Sequence, residues 1–523
     1  MPRAGGYSFH PDEIFQIAAS INIDFLHGQL NPHFYNYGAM YMYLVSLITT
    51  VASGFGFVDP SSLADRYLSA RLLTAFLGAA IPYFVYLAAS RLYTKSLALI
   101  AAAFAAITPI AVVHSHFATV DIVATFWVSI CLAASAAIFT RPSTKQYVIA
   151  GLMAGFAGAT KYGAAIVIIA PLAAHITSST QVPIKRKITY IALLITTAAA
   201  GFIIGNPGSI LWPDEFLRGL MFEYQHASQG HGFVFTQTGT GWRFHLTSSL
   251  YFGLGLPFLI LALTGFAAMI FDGSRRGWTL AVFAAIYYLI IGFATVRFAR
   301  YTIPLVPVIS IAAAVAVTRV YAFISRRPPL GRGLTPSPNT QHPTPLSACW
   351  LILCLAAIYY TLSYSIALDR LFVVEDPRNK AAAWIERNVP IGSTIAFPTI
   401  AWFYSPALSP GFTHYQPGKR EAAMAGVKSY DLLTDADVPW DWTIFHVVFP
   451  KYIIISDYED TDALRARDTD AIKYMRMLRV QYTPAKTFSR RLHGGGLDFG
   501  KAESLPHDLK YASPRITIYK RRT

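Results

Sequence analysis

Charge is scarce in this sequence: Asp, Glu, Lys and Arg make up 14% of its 523 residues, against about a quarter in soluble globular proteins. That deficit excludes an ordinary water-soluble enzyme and a charged, disordered chain alike. Cysteine is scarcer still. The three present, Cys131, Cys349 and Cys354, all lie within apolar runs, so no disulfide staples the polar segments, which must fold on their own cores. The chain shows no internal repeat, residues 369–523 show no phosphate-binding loop, nucleophile elbow or metal-ligand spacing, and no signal peptide precedes Tyr7.

What is abundant is apolar surface. Hydrophobic residues reach 54% and aromatic ones 14%, in long runs that recur from Ala39 to Leu368. The bilayer is therefore the expected solvent for most of the chain. From Asp369 to Thr523 mixed charge, proline and glycine return. This predicts a first extracytoplasmic loop with juxtamembrane helices over 1–68, a transmembrane body over 69–368, and a soluble extracytoplasmic domain over 369–523. Lys and Arg number 43 against 28 Asp and Glu, a net charge of +15. In a multispan chain that surplus marks cytoplasmic loops rather than a nucleic-acid surface.

A span needs about 20 mostly apolar residues. About ten candidates are present, at 69–90, 96–113, 119–140, 147–160, 162–178, 188–207, 246–271, 278–296, 301–324 and 347–368. The pair flanking Lys161 is short and interrupted by Gly151, Gly155, Gly158 and Gly163, as in a hairpin that turns near the far surface. Arg91/Lys95, Arg141/Lys145, Lys185/Arg186/Lys187, Arg275/Arg276 and Arg326/Arg327/Arg332 fall in every second connection, which the positive-inside rule places in the cytoplasm. The other connections then face outward: His114–Thr119, the turn at Lys161, the loop Pro207–His245, Arg297–Arg300 and the whole tail. Counting Ala39–Val58 as a further crossing would turn every basic cluster outward. It therefore reads as a juxtamembrane or re-entrant helix pair, with Tyr35, Tyr37, Tyr41 and Tyr43 at headgroup level. On this count the sequence is one N-terminal span short, as a misassigned start or a fragment would be.

Ionisable groups near the outer span ends are the candidate site, because such groups at membrane depth cost several kcal/mol unless paired or wetted. His10-Pro11-Asp12-Glu13, with Tyr35 and Tyr37 soon after, offers carboxylates suited to general-base work; the structural alternative is a helix N-terminus with acidic residues complementing its dipole. His114-Ser115-His116 leads to Asp121, which could equally begin the following span. Asp12, Glu13 and Asp121 with these histidines could hold a divalent cation, although no spacing demands one. Arg297-Phe298-Ala299-Arg300-Tyr301 places two arginines outside, against the charge bias, and suits an anionic lipid headgroup; snorkelling is the alternative. Lys161 offers a further cation. The loop Pro207–His245, with Glu223, His226 and His231, is too long for a simple connection and is expected to cover the site.

Read together, FHPDE, NPHFYNYG, HSHFATVD, GLMAGFAGATKYG, RFARYTIPLVP and DPRNKAAAWIERNVPIGSTI resemble bacterial membrane glycosyltransferases of the GT-C fold, in particular the family 39 group of protein O-mannosyltransferases and lipid A aminoarabinose transferases. The likeness spans nearly the whole chain. It implies a cell-envelope enzyme of the plasma membrane, a polyprenyl-phosphate sugar donor, an acceptor hydroxyl on the extracytoplasmic side, and inversion at the anomeric carbon. The family's first-loop acidic residue falls on Asp12, with Glu13 beside it, and that of the second outward loop on Asp121. A Lys-Pro-Pro-Leu or His-Pro-Pro segment of several members is replaced here by Asn36-Tyr37-Gly38, so its lysine and substrate contacts do not carry over.

The expected mechanism has Asp12 take the proton of the attacking hydroxyl. Arg297, Arg300 and Lys161 neutralise the departing phosphate, while Glu13 and Asp121 orient the acceptor, support Asp12 or hold a cation. The acceptor could be protein, lipid or polysaccharide. In the tail, apolar periodicity predicts an α/β domain: a helix over 381–387, strands over 393–397 and 452–455, a helix over 461–478 and a last strand over 516–519. A secondary transporter with an external domain is the alternative from another class, and it predicts inverted repeats; a sensor would need a cytoplasmic output domain.

Overall fold

A computed structural model describes residues 9–178, 180, 182–272, 275–325, 345–406, 408, 426–427, 429–434 and 438–522. The basic cluster Arg326/Arg327/Arg332 lies outside them. Among the described residues six helical stretches are long and apolar enough to cross a bilayer: Leu63–Leu92, Val120–Thr140, Ile184–Gly205, Arg275–Phe293, Ala299–Ile324 and Pro345–Asn388. Gly241–Leu254 and Leu256–Phe271 would make a seventh, bent by 119°. The break falls at Gly255, whose φ of +80° a helix cannot contain.

The other three expected spans are shorter elements. Residues 96–113 form Lys95–Ala106 and Pro109–Ser115, because Pro109 lacks the N–H that would continue the first helix. The two arms around Lys161 are Thr144–Thr160 and Tyr162–Thr177, the second opening as a 3-10 helix. Ala39–Val58, expected as a helix pair, holds one helix, Met40–Gly54. At roughly 22 Å it is too short to cross.

Small residues bring the membrane helices together. Thr144–Thr160 lies so close to Ile184–Gly205 that a Cβ on Gly155 would sit 2.2 Å from the Ala198 carbonyl oxygen, the close approach that glycine permits between apolar helices. Gly38 meets the end of the same helix, and a Cβ there would fall 1.9 Å from the Ala159 oxygen. This contact pins the NPHFYNYG segment beside Lys161.

The tail is an α/β domain. Its strands are β1 (Thr394–Phe397), β2 (Asp431–Thr434), β3 (Tyr452–Ser456), β4 (Tyr482–Phe488), β5 (Arg491–Gly494), β6 (Leu497–Lys501) and β7 (Ile516–Arg521). The main sheet runs β2-β1-β3-β7-β4, and β5 pairs with β6 as a separate hairpin. β1 is parallel to β2 and β3, while β7 runs antiparallel to β3 and β4. β3 is buried throughout its length, as its Tyr-Ile-Ile-Ile run requires. The helix Pro377–Asn388 starts at Asp376, whose side chain accepts from the Arg378 N–H. The single helix expected over 461–478 is instead two, Asp457–Arg465 and Thr469–Gln481. Arg467 takes a positive φ between them, and Asp468 caps the second by accepting from the Ala471 N–H.

Three anchors tie the sheet domain to the rest of the chain. Arg490 donates to the carbonyl of Leu371, in the last turn of the helix Pro345–Val373, and to that of Val374. Arg465 donates to those of Phe233, Val234 and Thr236 in the 207–245 connection. Asp508 accepts from the backbone N–H groups of Ala299 and Arg300.

Candidate active site

Where the first loop, the 207–245 connection, the 298–301 segment and the tail meet, they enclose a cavity of about 750 Å3. Asp12 lines it. Its side chain makes no capping bond to the helix Glu13–Ile21 that follows. Instead Tyr37 donates to its Oδ2 over 3.1 Å, and Arg300, 288 positions later, donates from Nη2 over 3.1 Å. Both donors converge on one oxygen; Oδ1 has no partner among the described residues. The Asp12 N–H donates to Nδ1 of His10. Burial, with Arg300 nearby, holds the His10 imidazole well below its ordinary range and hence neutral, as an acceptor must be.

Arg300 is 4% exposed. Its guanidinium lies 3.8 Å from the centroid of the Phe298 ring, and Asp508 accepts its backbone N–H. Its Nη1 stands 3.8 Å from Asp508 and makes no hydrogen bond. The guanidinium thus sits between two carboxylates, Asp12 and Asp508, at the cavity wall. Asp508 carries no motif in the sequence; only the packing of the tail reveals its role.

A second pair sits behind this one. Lys161 donates to Asp121 Oδ1 over 2.6 Å, and its ammonium is 4.6 Å from the ring centroid of Tyr301, which lines the cavity. Glu223 also lines the cavity, within electrostatic reach of Lys161, Asp12, Arg300 and Asp121. Burial is the main cause that pushes its carboxyl up to about 7, with Asp12 adding to the rise. The unfolded carboxyl loses its proton near 4.5 and the folded one near 7. Between those values the folded chain holds the extra proton, so this group's contribution to stability falls as pH rises through the window. Glu223→Gln is expected to flatten the decline of the melting temperature from pH 5 to 7, as a thermal-shift series would record.

His226 and His231 line the same cavity with ring centroids 5.1 Å apart. Burial, then His226, lowers His231 to about 4. Other candidates lie elsewhere. Glu13 is fully buried: Arg71 grips it through Nε (2.9 Å) and Nη2 (2.8 Å), and the N–H groups of Phe9, His10 and Ala118 donate to it. It joins three segments and does not line the cavity. Tyr35 is core, packed against Gly208 and Gly219 with its hydroxyl on Asn31. Arg297, expected at the phosphate, donates to Thr238 and the Gly239 carbonyl. His116 stacks on Phe372 and pairs with Asp369, while His114 is buried 3.9 Å from Asp508.

The carboxylates expected to share a cation are matched one to one with basic side chains: Asp12 with Arg300, Glu13 with Arg71, Asp121 with Lys161. So paired, they do not fit a divalent-ion site. Among the described residues no three His, Cys, Asp or Glu side chains gather as a ligand set.

Residues 61–204 match the family model described as dolichyl-phosphate-mannose-protein mannosyltransferase. The whole fold is similar to that of the Archaeoglobus fulgidus oligosaccharyltransferase, with a TM-score of 0.51 at 14% identity over 97% of this chain and 74% of that one. This chain has the GT-C fold. ArnT from Cupriavidus metallidurans is similar at a TM-score of 0.45, with 14% identity over 99% of this GT-C chain and 93% of its own. No curated protein matches the chain significantly in sequence. Its long apolar helices and sheet-containing tail are the arrangement of that fold.

Proposed function

We propose that this cavity transfers a sugar from a polyprenyl-phosphate donor to an acceptor hydroxyl with inversion at the anomeric carbon. The observation that carries the reading is the meeting of Asp12 with Arg300 at the cavity wall. Asp12 Oδ1 takes the hydroxyl proton as the hydroxyl oxygen bonds to C1. The bond from C1 to the phosphate oxygen breaks, and its electron pair leaves with the phosphate. The Arg300 guanidinium at the cavity wall offsets that charge, with Lys161 adding positive potential from behind Tyr301. The departing prenyl phosphate is a fair leaving group once its charge is offset, so positioning and charge neutralisation supply most of the effect. The family description supports a lipid-phosphate donor. A prenyl chain keeps its phosphate at the membrane boundary, which is where a cavity between helix ends and a roofing tail meets it.

In this reading the protein belongs to the inner membrane: residues 69–368 are the catalytic body within it, 1–68 the outer loop with juxtamembrane helices, and 369–523 the extracytoplasmic cover. Glu13 and Asp121 act by positioning Asp12's loop and Lys161. The transporter alternative is not favoured: Asp12, Glu223, His226, His231 and Arg300 gather in one cavity under the tail.

The test is to incubate the purified, lipid-supplied protein with a panel of polyprenyl-phosphate sugars and follow release of the carrier. Release with one donor and an inverted product is expected. Arg300→Lys, which keeps the charge but loses the fork, should weaken carrier binding about tenfold. Failure of every donor to yield free carrier would reject the reading.

A further inference from the structure

The tail wall of the cavity carries chemistry that the transfer step leaves unused. Trp402 presents a ring that is 43% exposed. Tyr404, beside it, stacks on Tyr458 with centroids 5.8 Å apart and planes within 9°. Behind them runs a hydroxyl and carboxyl network: the Thr399 hydroxyl donates to Glu459 Oε1 over 2.5 Å and lies 3.2 Å from the Tyr404 hydroxyl. The Ser456 N–H holds the other Glu459 oxygen at 2.8 Å. Burial pushes Glu459 up to about 8, which favours its protonated form.

The structure assigns this wall, we infer, as the acceptor subsite, and the acceptor it fits is an uncharged saccharide. This rests on the transferase reading and names the acceptor class for the same site. Flat aromatic faces, negative at their centres, receive the polarised C–H faces of a sugar ring, and the adjoining network both donates and accepts, as vicinal hydroxyls require. Charge argues against an anionic acceptor. Arg300 is the arginine that lines the cavity among the described residues, and Asp12 already engages it, so no unmatched cation is left on the tail wall for a charged group. Geometry argues against a polypeptide: among the described residues no strand of the tail lines the cavity, so no sheet edge is offered to an extended chain.

Saturation-transfer NMR on the full-length protein in nanodiscs tests this with a panel of neutral oligosaccharides, a Ser/Thr-containing peptide and a phosphorylated oligosaccharide. A neutral oligosaccharide is expected to bind, and Trp402→Ala and Glu459→Gln should each weaken it about tenfold or more. Affinity for a polyprenyl phosphate should stay within about twofold, because the Arg300 side of the cavity is untouched. Trp402 is surface-exposed, so its variant decides the matter even should Glu459→Gln fail to fold. Binding of the peptide or the phosphorylated sugar without any neutral saccharide would overturn the inference, as would saccharide binding indifferent to Trp402→Ala. If the unsubstituted protein binds no polyprenyl phosphate, the fault lies instead with the transferase reading.

Discussion

Asp12→Asn is expected to slow sugar transfer by about a hundredfold to ten-thousandfold, the range associated with losing a general base. The substitution is nearly isosteric, and the amide oxygen still accepts from Tyr37 and Arg300, which now share Asp12 Oδ2. The cavity therefore keeps its shape. What disappears is basicity: an amide cannot take the hydroxyl proton as C1 is attacked. Arg300 loses its nearest negative partner, so carrier phosphate should bind as tightly as before or more tightly. A rate assay paired with carrier-binding measurements separates the two effects. Near-normal transfer by the variant would remove Asp12 from the mechanism.

Arg71→Met should instead strike at the fold. Glu13 is fully buried, and Arg71 is its charged partner in a two-pronged ion pair. Breaking a buried pair from one side costs about 3–5 kcal/mol, since the orphaned carboxylate stays desolvated. Set against a typical total stability of about 5–15 kcal/mol, that is a large loss. The helix Glu13–Ile21, the start of Leu63–Leu92 and the Ala118 turn would loosen together, and Asp12, next in sequence, would lose its position. A large drop in melting temperature is expected, and Arg71→Met with Glu13→Gln should recover part of it by removing the unmatched charge. An unchanged melting temperature in the single variant would show that water reaches Glu13. Asp12→Asn, by contrast, should melt close to the unsubstituted protein.

These adjacent acids were indistinguishable as a motif. FHPDE places two carboxylates before an apolar helix, and either fits a base or a dipole partner. Their assignment came from which neighbours each could reach: Glu13 met the guanidinium of Arg71 and three backbone donors, whereas Asp12 met Tyr37, Arg300 and open cavity. Arg297 and Arg300 were likewise equal in sequence. Their side chains leave the segment differently, one to the Thr238–Gly239 turn and the other to Asp12.

Composition and the spacing of apolar runs were enough to predict several apolar membrane helices and an α/β tail, because solvent partition acts on each segment independently of the rest. Helix breaks were less legible, since Gly255, Pro109 and Arg467 interrupt runs whose apolar content continues across them. Charge pairing and cavity shape were decided only in three dimensions. A hydrogen bond depends on distances of a few ångströms between residues separated by up to 288 positions, and Asp508 and Glu459 acquired neighbours in the cavity only when the tail packed onto the membrane helices.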